Sequence, residues 1–391
     1  STGVNNTIIG GLAGDALTTG SNNIAIGRSA LGLEDGNGRN VAIGTSALQV
    51  QNAGADAYNV AIGYESGKNV STGVDNVIIG GQAGDALTTG SDNVAIGRSA
   101  LSTEDTGSHN VAIGNEALQD LNYNGTGYNT AIGSRAGADV TTGIFNTIIG
   151  GLAGDALTSG SNNVAIGYFA LSGEDGHGRN VAIGNEALKL QNAGDNAYNV
   201  AVGYNAGLNV TTGVQNTLVG GLSGDALTTG SLNTAIGYEA LSSEDTGGRN
   251  TAMGWRALKN LNYDGFGYNA AFGFSTGEAI TTGNLNSLIG SFAGDALTTG
   301  SRNVAIGYEA LTTEDGHGRN VAIGLAGDAL TSGSFNVAIG YKALSTEDAF
   351  GRNIAIGYEA LTAQDSSTDA YNIAIGHQAG LNISTGVNNT L

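Results

Sequence analysis

The chain has 391 residues, among them 67 Gly, no Pro, no Cys, one Met and one Trp. With 34 acidic against 14 basic side chains the formal net charge is −20, which speaks against binding nucleic acid or anionic membranes. No apolar run approaches the roughly 20 residues of a membrane helix, no disulfide can form, and Ile, Val and Leu recurring at fixed places point to a repeat rather than to disorder.

The first predicted element is a strand in Asn6-Thr7-Ile8-Ile9-Gly10. It opens a series of 22 complete Asn-x-apolar-apolar-Gly markers, with a truncated copy starting at Asn389. Of the 22 intervals between marker Asn residues, 16 are 17 residues, five are 19 and one is 16. From Asn6 the intervals run 17, 17, 19, 17 and begin again, a super-period of 70 marked by Asn6, Asn76, Asn146, Asn216 and Asn286. Each 19-residue unit ends in Tyr (Tyr58, Tyr128, Tyr198, Tyr268, Tyr371), and its two extra residues are expected to bulge outward ahead of that Tyr.

A unit of 17 is too short for a helix pair and suits one turn of a β-solenoid. The reading is all-β, a parallel β-solenoid or β-roll of about 22 rungs, continuous over 1–391. The second side of each rung is shorter. It reads Ala-Leu in two rung types (Ala47-Leu48, Ala117-Leu118) and Ala-Gly followed by "LTTG" or "VTTG" in the other two (Leu17 to Gly20, Val210 to Gly213). The structural ladder is expected at Asn23, Asn40, Asn59 and Asn76, whose amides stack on one another, and at Gly27, Gly44, Gly63 and Gly80, which need positive φ or close backbone approach. At about 4.8 Å per rung the 22 intervals give a rod on the order of 105 Å.

Within the marker strand, Val41 and Ile43 share one side and Ala42 and Gly44 the other. The expectation is that the Val/Ile side faces the interior. The column Ile8, Ala25, Ala42, Ala61, Ile78 would then be exposed and would contact a partner chain; the alternative is that it packs across a thin roll against the chain's own second side.

Near the end of the chain one unit is shortened. After Asn320 the sequence jumps from the marker Ile-Gly straight to "LAGDAL", and 37 residues of the normal order are missing. The marker phase is expected to survive. "STGVNNTL" at 384–391 matches "STGVNNTI" at 1–8, which suggests a section of a longer array or end-to-end stacking; the opening Ser1 suggests processed or cropped termini.

"NVAIGYEAL", "NTAIGYEAL" and "GSNNVAIG" resemble the head repeats of YadA-like trimeric autotransporter adhesins and similar AIG-rich repeats of phage tail fibres. The resemblance implies a left-handed parallel β-roll, three associated chains, and a role in adhesion or fibre building outside the cell or on a virion. The rungs here are longer than that family's usual repeat, and neither a coiled-coil stalk nor a membrane anchor is present in the sequence.

Candidate chemistry is sparse. His109 occupies the slot that Arg39, Arg179, Arg249 and Arg319 fill in sister rungs, while His177 and His317 replace Asn37; with His377 they read as surface loop residues. The pairs Glu34-Asp35, Glu104-Asp105, Glu174-Asp175, Glu244-Asp245, Glu314-Asp315 and Glu347-Asp348 point to opposite faces of an extended segment and make poor acid/base partners. They read as polar turns with exposed ion pairs to the Arg that often follows. No cofactor and no metal site are expected; calcium is the one cation whose oxygen preference such pairs would suit. Asp15, Asp85, Asp155 and Asp225 lie four rungs apart and cannot share an ion. The paired Thr of "TTG" vanish on two rungs of every four, which interrupts any flat ice-binding array. Six glycosylation sequons, beginning at Asn5, Asn69, Asn124, Asn209, Asn382 and Asn388, are expected by chance in so Asn- and Thr-rich a chain. The function expected is therefore a structural fibre or filament shaft that self-associates, without catalysis. The rival is an adhesin or glycan-binding module presented on the solenoid.

Overall fold

Each marker folds as a strand of three residues closed by its Gly, and β-branched residues at the first and third places favour that extended backbone. The computed structural model describes every residue except Ser1, Asn37, Glu314, Asp315, His317, Ala329, Thr331, Ser332 and 347–349. The expectations for Asn37, His317 and the pairs Glu314-Asp315 and Glu347-Asp348 therefore fall outside the described residues.

Two compact units divide the chain, Ser1–Tyr198 and Asn199–Leu391. Among the described residues the first holds eleven strands, from β1 (Thr7–Ile9) to β11 (Val181–Ile183). The second holds eleven more, from β12 (Val200–Val202) to β22 (Ile373–Ile375). There is no helix among the described residues, and each unit is a parallel β-solenoid.

Register holds across rungs of every length. Val41, Ala42 and Ile43 pair with Val60, Ala61 and Ile62 over a 19-residue turn. Val321, Ala322 and Ile323 pair with Val337, Ala338 and Ile339 over the 16-residue one, so the marker phase does survive the shortening. Further backbone ladders join the rungs away from the strand, such as Gly14 N–H to Ala30 O (2.9 Å) and Leu31 N–H to Ala47 O (3.0 Å).

Turning the chain through a full circuit in 17 residues requires left-handed backbone. In the rung that starts at Asn23, Gly27 (φ 132°), Ser29 (57°), Leu31 (51°) and Arg39 (63°) all have positive φ. A non-Gly residue there costs roughly 1–2 kcal/mol. At Leu31 the cost is offset by complete burial of the side chain. The extra residues of the 19-residue turns do lie outside, with Gly54 to Asp56 exposed.

The interior is thin. Beside its Asn, the rung from Asn40 buries Ala42, Ala47, Leu48, Gln51 and Ala57; the rung from Asn76 buries Ile78, Ala83 and Leu87. The four-rung period is a volume alternation in this narrow core. Ala-Leu rungs fill their own space with Leu31 or Leu48. Ala-Gly rungs leave a gap, and the larger residue carried every fourth rung fills it. A Cβ on Gly67 would lie 2.9 Å from Ile78 Cδ1, and one on Gly84 would lie 2.9 Å from Leu87 Cδ1 and 3.3 Å from Ile78 Cγ2. Ile78 thus occupies the space left by two glycines, and Leu218 sits in the same way 2.8 Å from the position a Gly224 Cβ would take. Close packing of this kind gives the four-rung period a physical role in filling the core.

Candidate functional site

The Asn column is a hydrogen-bonded spine. Oδ1 of Asn23 accepts the backbone N–H of Asn40 (3.0 Å), Asn40 Oδ1 that of Asn59 (3.1 Å), and Asn59 Oδ1 that of Asn76 (2.9 Å). The amide nitrogen reaches sideways instead. Asn59 Nδ2 donates to Gly73 O (2.8 Å) and Asn76 Nδ2 to Gly90 O (2.9 Å). The expected amide-on-amide stack is therefore largely amide-to-backbone, with the direct Nδ2 to Oδ1 bond a longer accessory (3.2 Å from Asn76 to Asn59). All four ladder Asn are fully buried, where an unpaired amide would cost about 1–3 kcal/mol.

Both reasons proposed for the marker Gly apply together. Gly27, Gly44, Gly63 and Gly80 have φ between 132° and 141°. A Cβ on Gly44 would stand 2.1 Å from Gly63 O, and one on Gly63 2.4 Å from Gly80 O. Rungs at this corner are in backbone contact.

The expected partner column requires correction. Ala25, Ala42, Ala61 and Ile78 are fully buried inside the chain's own roll. Ile8 is exposed, at 44%, in the first rung of its unit. The strand faces are the reverse of the expectation: the small middle residue fits the thin interior, and the first and third residues face outward. Ile62 is 36% exposed and Phe272 38%. The outer face carries Val, Thr, Ala, Ser or Ile at its first place and Ile, Val, Met or Phe at its third, with no charged residue on any of the 22 strands.

The acidic pairs also differ from expectation. The two carboxylates do diverge, but the Glu points into the roll rather than to solvent. Glu34, Glu104, Glu174 and Glu244 are fully buried. Glu104 accepts the N–H of Gly107 (2.7 Å) and of Tyr123 (3.2 Å), and Glu244 accepts those of Gly247 (2.7 Å) and Tyr263 (3.2 Å). Burial pushes the carboxyls of Glu104, Glu174 and Glu244 up; these N–H groups pull Glu104 and Glu244 partly back, and the His177 N–H does so for Glu174. The signal was available in the sequence: this Glu shares its column with Leu17, Gln51, Val70 and Leu87, a mostly apolar interior column. The nearby Arg39 pairs instead with Asp56 of the next rung (3.2 Å). Its guanidinium lies 5.3 Å above the Tyr58 ring and donates to the Tyr58 hydroxyl.

Of the histidines, His109 lies 3.8 Å from Asp92 and against Tyr128, and His377 stacks on Tyr358. His177 joins Glu174 and Asp175 in the one group of three potential ligands that converges among the described residues, with one donor atom from each within 4.8 Å. Its buried member is committed to closing its own turn, since Glu174 accepts the His177 N–H (3.1 Å) and the Asn180 amide (3.5 Å). The Thr pairs serve the stack: Thr18 and Thr88 each donate a hydroxyl hydrogen bond of 2.9 Å to the carbonyl of Asp35 and Asp105 one rung on.

Compared with known proteins, the chain matches no protein-family model and no curated relative.

Proposed function

We propose that the chain is a structural element of an extracellular or virion fibre, a filament shaft without catalysis, in which copies associate laterally through the outer face of the marker strands. One observation carries this reading. In a chain of net charge −20, the outer first and third strand positions hold no charged residue in either unit. Charge repulsion between copies is least along that face. Eleven rungs at about 4.8 Å by a three-residue strand of about 10 Å give on the order of 500 Å² per unit and partner, the scale at which a stable contact begins. The resemblance to trimeric autotransporter heads and tail fibres supports a threefold arrangement. The backbone spine gives each rung the same job, which suits a shaft.

The test is sedimentation of the full chain at micromolar concentration, beside a variant with Ile96→Asp, Ile113→Asp and Ile149→Asp on that face. The expected result is an assembly for the native chain and a folded monomer for the variant. A native chain that is already monomeric at these concentrations overturns lateral association.

A further inference from the structure

We propose that Arg302 and Arg319 form an oxyanion-binding site for a carboxylate or sulfate group, in a hollow opened where the 37-residue segment is missing. The hollow, of about 240 Å³, is lined by Thr299, Ser301, Arg302, Gly316, Gly318, Arg319 and Ser334, all in the second unit. The molecule displays the filled version of the same site two rungs further on. There Asp369 accepts from Arg352 Nε (2.7 Å) and from the Gly351 N–H (3.4 Å). In the first unit Asp56 meets Arg39 at 3.2 Å, and Asn196 accepts the Gly178 N–H at 3.2 Å. Asp56, Asn196 and Asp369 each stand three residues before a marker Asn. The residue three before Asn336 is Gly333. The 19-residue loop that supplies a carboxylate to Arg39 and to Arg352 is the part this rung lacks.

The charge at the site is also doubled. The column position of Arg302 holds Asn22, Asp92, Asn162 and Leu232 in sister rungs. At the Asp92 rung the next rung answers with His109, an opposite-charge pairing when protonated. Here the next rung answers Arg302 with Arg319. The two backbones are hydrogen-bonded neighbours, Arg319 N–H donating to Ser301 O at 3.0 Å. Like charges facing each other on adjacent strands are unfavourable unless an anion lies between them. Neither guanidinium has an ion-pair partner among the described residues; in the column of Arg319, Arg39 and Arg352 have one, and Arg179 and Arg249 donate instead to the hydroxyls of Tyr198 and Tyr268, whose place Phe335 takes here. Arg319 is held in plane by the Phe335 ring at 5.1 Å, which Arg352 covers as well at 5.1 Å. Stacking leaves the N–H edges of a guanidinium free for bidentate contact with an oxyanion. The hydroxyls of Thr299 and Ser334 add donors at the rim.

The test is titration of the full-length protein with sodium acetate and, separately, sodium sulfate at constant ionic strength, following the arginine side-chain Nε–H signals by NMR. Saturable shifts at Arg302 and Arg319 are expected. Arg302→Gln and Arg319→Gln should each weaken binding at least tenfold, with unchanged circular dichroism. Arg352→Gln, whose carboxylate is already supplied, should leave it unaltered. Tighter acetate binding assigns a carboxylate, and tighter sulfate binding a doubly charged group bridging both arginines. Shifts that fail to saturate with either anion, or that survive both substitutions, overturn the site.

Discussion

The stretch from Asn216 to Tyr268 and the stretch from Asn286 to Asn336 begin alike and diverge at one excision, and both lie in the second unit. In the first, Glu239 is answered by Arg256 (2.9 Å) and Lys259 (2.6 Å) on the following rung. In the second, the corresponding Glu309 has no such partner on the following rung, which carries no Lys or Arg. The strand register, by contrast, is intact on both sides of the excision. The spine and the core are settled between neighbouring rungs at every marker. The surface charges are settled between specific rung types, so exchanging units preserves the fold and unbalances the surface.

The corner glycines give the sharpest contrast. A Cβ on Gly237 would lie 2.3 Å from Gly254 O, with φ at 136°, and both partners are backbone. The shortened turn relaxes this corner: a Cβ on Gly324, at φ 91°, would meet nothing nearer than 3.5 Å. Gly237→Ala is expected to cost at least about 3 kcal/mol, since rungs must part to admit the methyl. Gly324→Ala should cost about 1–2 kcal/mol, from the backbone conformation alone. Urea unfolding of the two variants measures the difference. Equal losses would show that the excision did not loosen the corner.

Next in size is the core. Leu218 fills the gap beside Gly224, so Leu218→Ala should cost about 2–5 kcal/mol. After the excision the Ala-Gly rung carries only Ala322 at that place, 3.6 Å from a Cβ built on Gly327. Ala322→Leu should therefore cost less than about 1 kcal/mol, or stabilise, while Ala235→Leu in the intact stretch should cost about 1–3 kcal/mol by overpacking. Thermal melts that rank the two insertions the other way would refute the volume alternation.

The repeat, the register and the corner glycines were legible because each depends on spacing, and spacing is a property of sequence. The facing of the marker strand was not. Alternation separates Val41 and Ile43 from Ala42 but does not say which side is inside, and the usual rule that larger apolar residues are buried fails at this strand because Leu31 and Leu48 already fill the thin interior. The decisive clue was the coincidence of Ile78 with Gly67 and Gly84, which is a statement about volume across rungs rather than about any one strand. Glu104 was misread for a related reason: a charged pair reads as a surface feature until its column is compared with Leu87 and Leu121 in neighbouring rungs.

The smallest expected effect is on pH, and it again separates the two stretches. Burial pushes the Asp225 carboxyl up to about 6, with Glu239 raising it further and Lys259 opposing. Asp295 is also pushed up by burial, with Glu309 and Glu278 adding to the rise and no cation against it. A carboxyl with a raised folded-state value binds its proton more tightly in the native than in the unfolded chain. Between the unfolded value of 3.8 and the folded one, the native state carries more protons, so stability falls as pH rises through that window. For Asp225 the destabilisation is complete above about 6 and vanishes below 3.8. Buried Glu104, Glu174 and Glu244 add the same sign. Glu65 and Glu239, lowered by bonds to Lys68 and Lys259, add the opposite sign but are exposed enough for solvent to screen most of it. The urea midpoint is therefore expected to rise from pH 7 to pH 5. Asp225→Asn and Asp295→Asn should each flatten that rise slightly, and more so at Asp225, whose carboxyl burial pushes up to about 6. A midpoint that falls on acidification would mean that the paired surface carboxylates, not the buried ones, govern the fold.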